Sequence, residues 1–166
     1  MKAISKGIID GIIEERFGKR GPCNEWGMPT YSIPLTFEDV PEGTKSFAVV
    51  IEDKDAFPVS RGFSWIHWAA ANIRTTFLEE NASQTTSDFV QGVNSWISIQ
   101  GGSHPAEECC CYGGMAPPDA PHIYDIQIYA LDKVLDLKNG FHLNQLFRQM
   151  YGHMLGDTVL LGKYAN

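Results

Sequence analysis

Apolar positions alternate with polar or small ones in several short runs, and turn-forming residues separate those runs. Successive side chains of a strand point to opposite faces, so this alternation predicts strands with one buried face. Ile8-Ile9 and Ile12-Ile13 flank Asp10-Gly11, a tight-turn dipeptide, and predict a short hairpin. Pro41-Glu42-Gly43 predicts another turn, followed by Ser46–Ile51, which is rich in strand formers. Ser64–Ile73, Ile123–Leu131 and Thr158–Tyr164 read as further strands. Only one stretch has a helical period: Leu143, Leu146, Phe147, Met150 and Met154 share one face, and Gly152 is placed to end or bend that helix. The pattern predicts a single mostly-β domain over residues 1–166, a sandwich with a short helix near the C-terminus. Residues 97–121 fit neither period. They hold two Gly-Gly pairs, prolines and three cysteines, and a loop of this length is predicted to cover or line something.

Three of the apolar rows carry a polar group at or near one end. Phe47, Val49 and Ile51 lead into Asp53 and Asp55; Trp65 and His67 precede Ala69, Ala71 and Ile73; His122 and Tyr124 precede Ile126, Ile128 and Ala130. Taken singly, each polar residue reads as a strand end facing solvent. Together they are what a pocket at one end of a sandwich requires, with apolar walls and a few convergent polar groups. Imidazolium and phenol donate to an anion such as phosphate, while neighbouring carboxylates raise the imidazole pKa and keep it cationic.

Composition narrows the classes. The chain is 43% hydrophobic and 20% charged over 166 residues, enough for an independent core. Its net charge of −7 and the lack of a Lys/Arg block exclude the electrostatic footprint of a nucleic-acid binder. The longest apolar stretches fall far short of the ~20 residues that span a bilayer, so no integral membrane segment is expected. The N-terminal residues show no signal-peptide pattern, and a cytoplasmic location is the expectation.

Cys109-Cys110-Cys111 lacks the spacing by which one loop gives a metal two ligands, so neither metal nor cofactor is expected and the thiols are read as reduced. Ser95 has no neighbouring base. His104 and His142 are expected to face solvent, His153 to pack, and Trp26 and Trp96 to serve as packing or loop anchors.

The ordered motifs Val40–Phe47, Asp53-Lys54-Asp55-Ala56, Trp65-Ile66-His67-Trp68 with Asn72-Ile73, Gly92–Ser95, Tyr112-Gly113-Gly114 with Pro117-Pro118, His122-Ile123-Tyr124, Tyr129–Asp132 and Gly152–Leu155 resemble the phosphatidylethanolamine-binding protein family. The resemblance runs from about Ser5 to Tyr164 and is closest to the short bacterial and archaeal branch described as Raf-kinase-inhibitor-like. It implies a Greek-key β-sandwich of two antiparallel sheets with an anion pocket near one end. Asp53 and Asp55 match the family's acidic pair, Trp65 and His67 its aromatic and first histidine, Gly114, Pro117 and Pro118 its glycine-proline loop, and His122 and Tyr124 its His-Arg-Tyr motif. The chain departs from that pattern at Lys54 and Phe57, which replace prolines, at Met115-Ala116, and at Ile123, which replaces arginine. A left-handed backbone at position 116 would strain Ala116. Residues 97–111 look longer than the corresponding family loop.

The resemblance implies binding of a small phosphate-bearing anion or phospholipid headgroup without catalysis. One alternative is a regulatory protein inhibiting a kinase or protease through the pocket rim and the 97–121 loop. A second is metal-assisted phosphoester hydrolysis with His67, His122 and Asp53 as ligands. Bacterial relatives also suggest a homodimer.

Overall fold

Strand-forming residues dominate the computed structural model, which describes residues 1–166. The strands are β1 (Lys2–Ile4), β2 (Ile8–Ile9), β3 (Ile12–Ile13), β4 (Leu35–Glu38), β5 (Ser46–Asp53), β6 (Trp65–Ile73), β7 (Phe77–Leu78), β8 (Val90–Gln91), β9 (His122–Leu131) and β10 (Met154–Tyr164). Three short helices, α1 (Phe57–Ser60), α2 (Ala82–Thr85) and α3 (Leu143–Met150), lie between them. One sheet has the order β1-β4-β7 and the other the order β2-β3-β10-β9-β5-β6-β8. β9 returns to lie beside β5 rather than beside β8, a Greek-key arrangement from which β7 departs to join the smaller sheet. The pairings are antiparallel except one: β3 meets β10 in parallel, at Ile12 and Lys163.

The main core lies between the sheets and includes Phe37, Phe47, Val49, Ile51, Trp68 and Ile128. The opposite face of the larger sheet carries Ala48, Val50, Ala69 and Ala71, which pack with Leu146 and Met150 of α3. Small side chains there leave room for a helix to approach the strands. α3 is shorter than the predicted helical row: it ends at Met150, Gly152 has a φ of 77°, and Met154 already belongs to β10. Phe147, expected on the buried face, is 43% exposed and packs edge-on against Tyr129.

β5 and β9 keep strict register from Ser46 opposite Leu131 to Asp53 opposite Tyr124. β6 does not keep register with β5. Ile51 faces Trp68 while Glu52 faces Ile66, so His67 is an extra residue. A bulge of this kind bends the strand and re-aims its side chains. It lets His67 reach the interior beside Trp68, its sequence neighbour. A second irregularity separates Ala70 from Ile73, where Asn72 takes a φ of 65°. Asn72 holds that conformation through two bonds to Leu135, donating to its carbonyl at 3.0 Å and accepting from its N–H at 2.8 Å. The predicted single row from Trp65 to Ile73 is therefore divided: Trp68, Ala70 and Ile73 enter the main core, and Ala69 and Ala71 the outer one.

The 97–121 segment is anchored. Cys109, Tyr112 and Met115 are fully buried. The Tyr112 hydroxyl donates to the Phe17 carbonyl at 2.6 Å, and its ring meets Trp68 edge-on. Ala116 is not in the left-handed region, so alanine carries no backbone strain there. The cysteines are free, and burial pushes the Cys109 thiol up to about 11 and the Cys111 thiol up to about 12. Cys109 and Cys111 are protonated thiols at neutral pH, not reactive thiolates.

Candidate functional site

Where β5, β6 and β9 end together, a cleft of about 510 Å³ opens. Asp53, Trp65, His67 and His122 form its strand-borne wall, with Ala56 and Val59 on one side and Trp96, Gln100, Gly101, Ala116 and Pro118 on the other. No lysine or arginine lines it. Trp65 and Trp96 meet edge-on at 6.3 Å between ring centroids and make one apolar wall.

Unbroken alternation along β5 brings Asp53 to the end of the Val49–Ile51 row, and the register of β9 sets His122 nearby. Asp53 is buried. One of its oxygens accepts from the Ala56 N–H at 3.1 Å, and the other accepts from His122 Nδ1–H at 2.7 Å. His122 Nε2–H donates to Asp119 Oδ1 at 2.9 Å. An imidazole with carboxylates at both nitrogens is doubly protonated, since each carboxylate can only accept. Burial opposes that charge, but the hydrogen bonds and charges of Asp53 and Asp119 outweigh it and raise the His122 pKa above 6.5. The same bond to His122 lowers the Asp119 pKa.

His67 is held differently. Its Nδ1 lies 2.6 Å from the Gly113 carbonyl and 3.1 Å from that of Gly114, so Nδ1 carries the proton. Nε2 makes no hydrogen bond and lies 4.0 Å from Asp53 Oδ2. Burial lowers the His67 pKa, and the Asp53 charge and the two carbonyls offset this only in part. A neutral and a cationic imidazole thus stand against one carboxylate. The Tyr124 ring lies 5.1 Å from His67 and 6.4 Å from His122, and its buried hydroxyl has no hydrogen-bond partner. Burial, then the Asp53 charge, raises its pKa far above 10.

Of the residues singled out in the sequence, Asp53, Trp65, His67, Pro118 and His122 line the cleft. Gly114 supports it from behind through His67, and Tyr124 lies beneath the two imidazoles. Pro117 is buried, its carbonyl accepting from Lys19 Nζ at 2.7 Å. Asp55 lies outside: β5 ends at Asp53, the chain turns, and Asp55 accepts the Ile123 N–H at 2.9 Å. Trp96, expected as a packing or loop anchor, lines the cleft. His104 is half-buried between Trp26 and Trp96 rather than facing solvent. Asp119 was not anticipated; its spacing of three residues from His122 was the available signal. No group of three or more His, Cys, Asp or Glu side chains converges in the manner of a metal site. No helix is long and apolar enough to cross a membrane.

A two-sheet sandwich with a histidine-carboxylate cleft at one end defines the class. The sequence matches the family described as phosphatidylethanolamine-binding protein over residues 5–165, and the chain belongs to that family. It is 44% identical over 137 residues to the uncharacterized Bacillus subtilis protein YxkA, with 81% of each chain covered. It is 36% identical over 138 residues to a Methanothermobacter thermautotrophicus protein, covering 80% of this chain and 82% of that one. A Chlamydia trachomatis homologue of phosphatidylethanolamine-binding protein superposes with a TM-score of 0.80 at 30% identity, covering 99% and 96% of the two chains. Escherichia coli YbcL, described as a member of the mammalian family, superposes at 0.75 with 26% identity, covering 99% and 98%.

Proposed function

We propose that this chain binds a small phosphate-bearing anion, free or as a phospholipid headgroup, in the cleft between Asp53, His67 and His122, and does not turn it over. The observation that carries this reading is the pair of imidazoles on Asp53. His122 is held cationic at 2.7 Å, and His67 is fixed by two carbonyls with Nε2 unpartnered. A phosphate oxygen accepts from imidazolium N–H groups, and charge-assisted bonds are the strong ones. With Nδ1–H committed to carbonyls, His67 donates through Nε2 only after taking a second proton. Trp65, Trp96 and Pro118 supply the apolar surface that suits the rest of a headgroup.

Calorimetric titration with inorganic phosphate and with phosphorylethanolamine at pH 6 and pH 8 tests the reading. Binding that is tighter at pH 6 supports it; no heat with either ligand at either pH overturns it.

A second reading, a regulatory protein-binding surface, is favoured by Ile99. It is 86% exposed beside Gln100 and Gly101 of the cleft. Pull-downs with wild type and Ile99→Asp, scored for a kinase or protease that only wild type retains, test it.

A further inference from the structure

His122 has two N–H groups, and carboxylates of very different character take them. Asp53 is buried and further tied to the Ala56 N–H at 3.1 Å. Asp119 stands on the loop after Pro118, its side chain 49% exposed. Its only other bond runs to the N–H of its own neighbour, Ala120, at 3.0 Å. The Asp53 contact is part of the core; the Asp119 contact opens by rotation of one surface side chain. Nε2 is therefore the nitrogen of His122 that an incoming anion can use, and Asp119 already holds it.

We propose that Asp119 is a tethered competitor for the anion position on His122 and so a determinant of which anions enter the cleft; this rests on the anion-binding reading above. A carboxylate and a phosphate oxygen are interchangeable acceptors for an imidazolium N–H. One held on the same chain acts at a high effective concentration. Pro117, Pro118 and Pro121 restrict the backbone on both sides, so the loop keeps the Asp119 side chain within reach of His122. Apparent affinity falls by the fraction of molecules in which His122 Nε2 is released. A weakly accepting anion does not displace Asp119. A phosphate that also engages His67 gains a second donor and does.

The test is calorimetry with inorganic phosphate at pH 6 on wild type, Asp119→Ala, Asp119→Asn and Asp88→Asn, the last removing an exposed carboxylate that does not line the cleft. Asp119→Ala should tighten phosphate binding roughly ten-fold, the size of one charge-assisted hydrogen bond. Asp119→Asn, whose amide oxygen still accepts from Nε2, should give a smaller gain. Asp88→Asn should change affinity less than about two-fold, the screened effect of a surface charge. Equal affinity in wild type and Asp119→Ala, or an equal gain from Asp88→Asn, overturns the role of Asp119 and leaves the anion site standing. No binding by wild type or any variant overturns the anion site itself, and this inference with it. The contact is read separately in phosphate-free protein: the NMR pKa of His122 should fall in Asp119→Ala, and an unchanged value refutes the bond.

Discussion

Asp53 and His122, 69 residues apart in sequence, form a buried hydrogen bond of 2.7 Å. Neither group has another charged partner within the core. Replacing Asp53 with alanine leaves His122 Nδ1–H and the Ala56 N–H without acceptors and removes the buried carboxylate of the pair, with only the half-exposed Asp119 still on the imidazole. Loss of one partner of a buried pair costs about 3–5 kcal/mol. Urea unfolding at pH 6 should show a loss of this size for Asp53→Ala, while Asp55→Ala, on the exposed side of the β5 end, should lose about 1 kcal/mol.

The two imidazoles make opposite contributions to stability as pH changes. His67 has a lowered pKa, so the unfolded chain protonates there first; its contribution is complete above about 6.5 and is lost as pH falls through the folded value. His122 has a raised pKa, so its contribution is complete below about 6.5 and is lost as pH rises through the folded value. Urea unfolding from pH 5 to pH 8 should show His67→Gln flattening the acid limb and His122→Asn the alkaline limb. The reverse assignment would contradict the hydrogen-bond pattern.

If binding requires His67 to gain a proton, phosphate should carry protons into the complex. Titrations at pH 7 in buffers of different ionisation enthalpy should then give different apparent heats, corresponding to net uptake of up to one proton. His67→Gln should remove the share of that uptake due to His67, leaving the exchange of phosphate itself, which also titrates near this pH. The same buffer dependence in wild type and His67→Gln would mean that His67 stays neutral in the complex.

Gly114 and Gly152 should fail for different reasons. A Cβ at Gly114 would lie 2.5 Å from the Phe17 carbonyl oxygen, and backbone cannot swing aside. Gly114→Ala should cost about 1–3 kcal/mol and shift the carbonyl that holds His67. Gly152 has open space but a φ of 77°, so Gly152→Ala should cost about 1 kcal/mol and Gly152→Asn less. Thermal unfolding of the three variants checks both, with the His67 NMR signal moving only in Gly114→Ala.

Asp53 and His122 were legible as cleft residues because β5 and β9 obey strict alternation over eight paired positions. His67 was singled out from a row that does not exist as such: its companions Ala69 and Ala71 face α3. The bulge that turns His67 inward depends on pairing with Glu52 and Ile51, which local periodicity does not contain. Asp55 leaves the row of Asp53 because the strand ends two residues earlier and the following turn directs it to the Ile123 N–H, which alternation alone does not contain. Asp119 belongs to a loop without periodicity, where only contact with His122 gives it meaning.

The parallel contact between β3 and β10 bears on how the molecule is made. β10 sits between β9 and β3, so the hairpin at residues 8–13 finds its place in the larger sheet only when residues near Lys163 arrive. During synthesis that hairpin waits, with Ile8 and Ile13, which pack into the main core of the finished fold, uncovered while most of the chain is translated. Such long-range closure is slow by nature. Shortening the chain within β10 should therefore leave an open sheet edge and a species that aggregates before it folds.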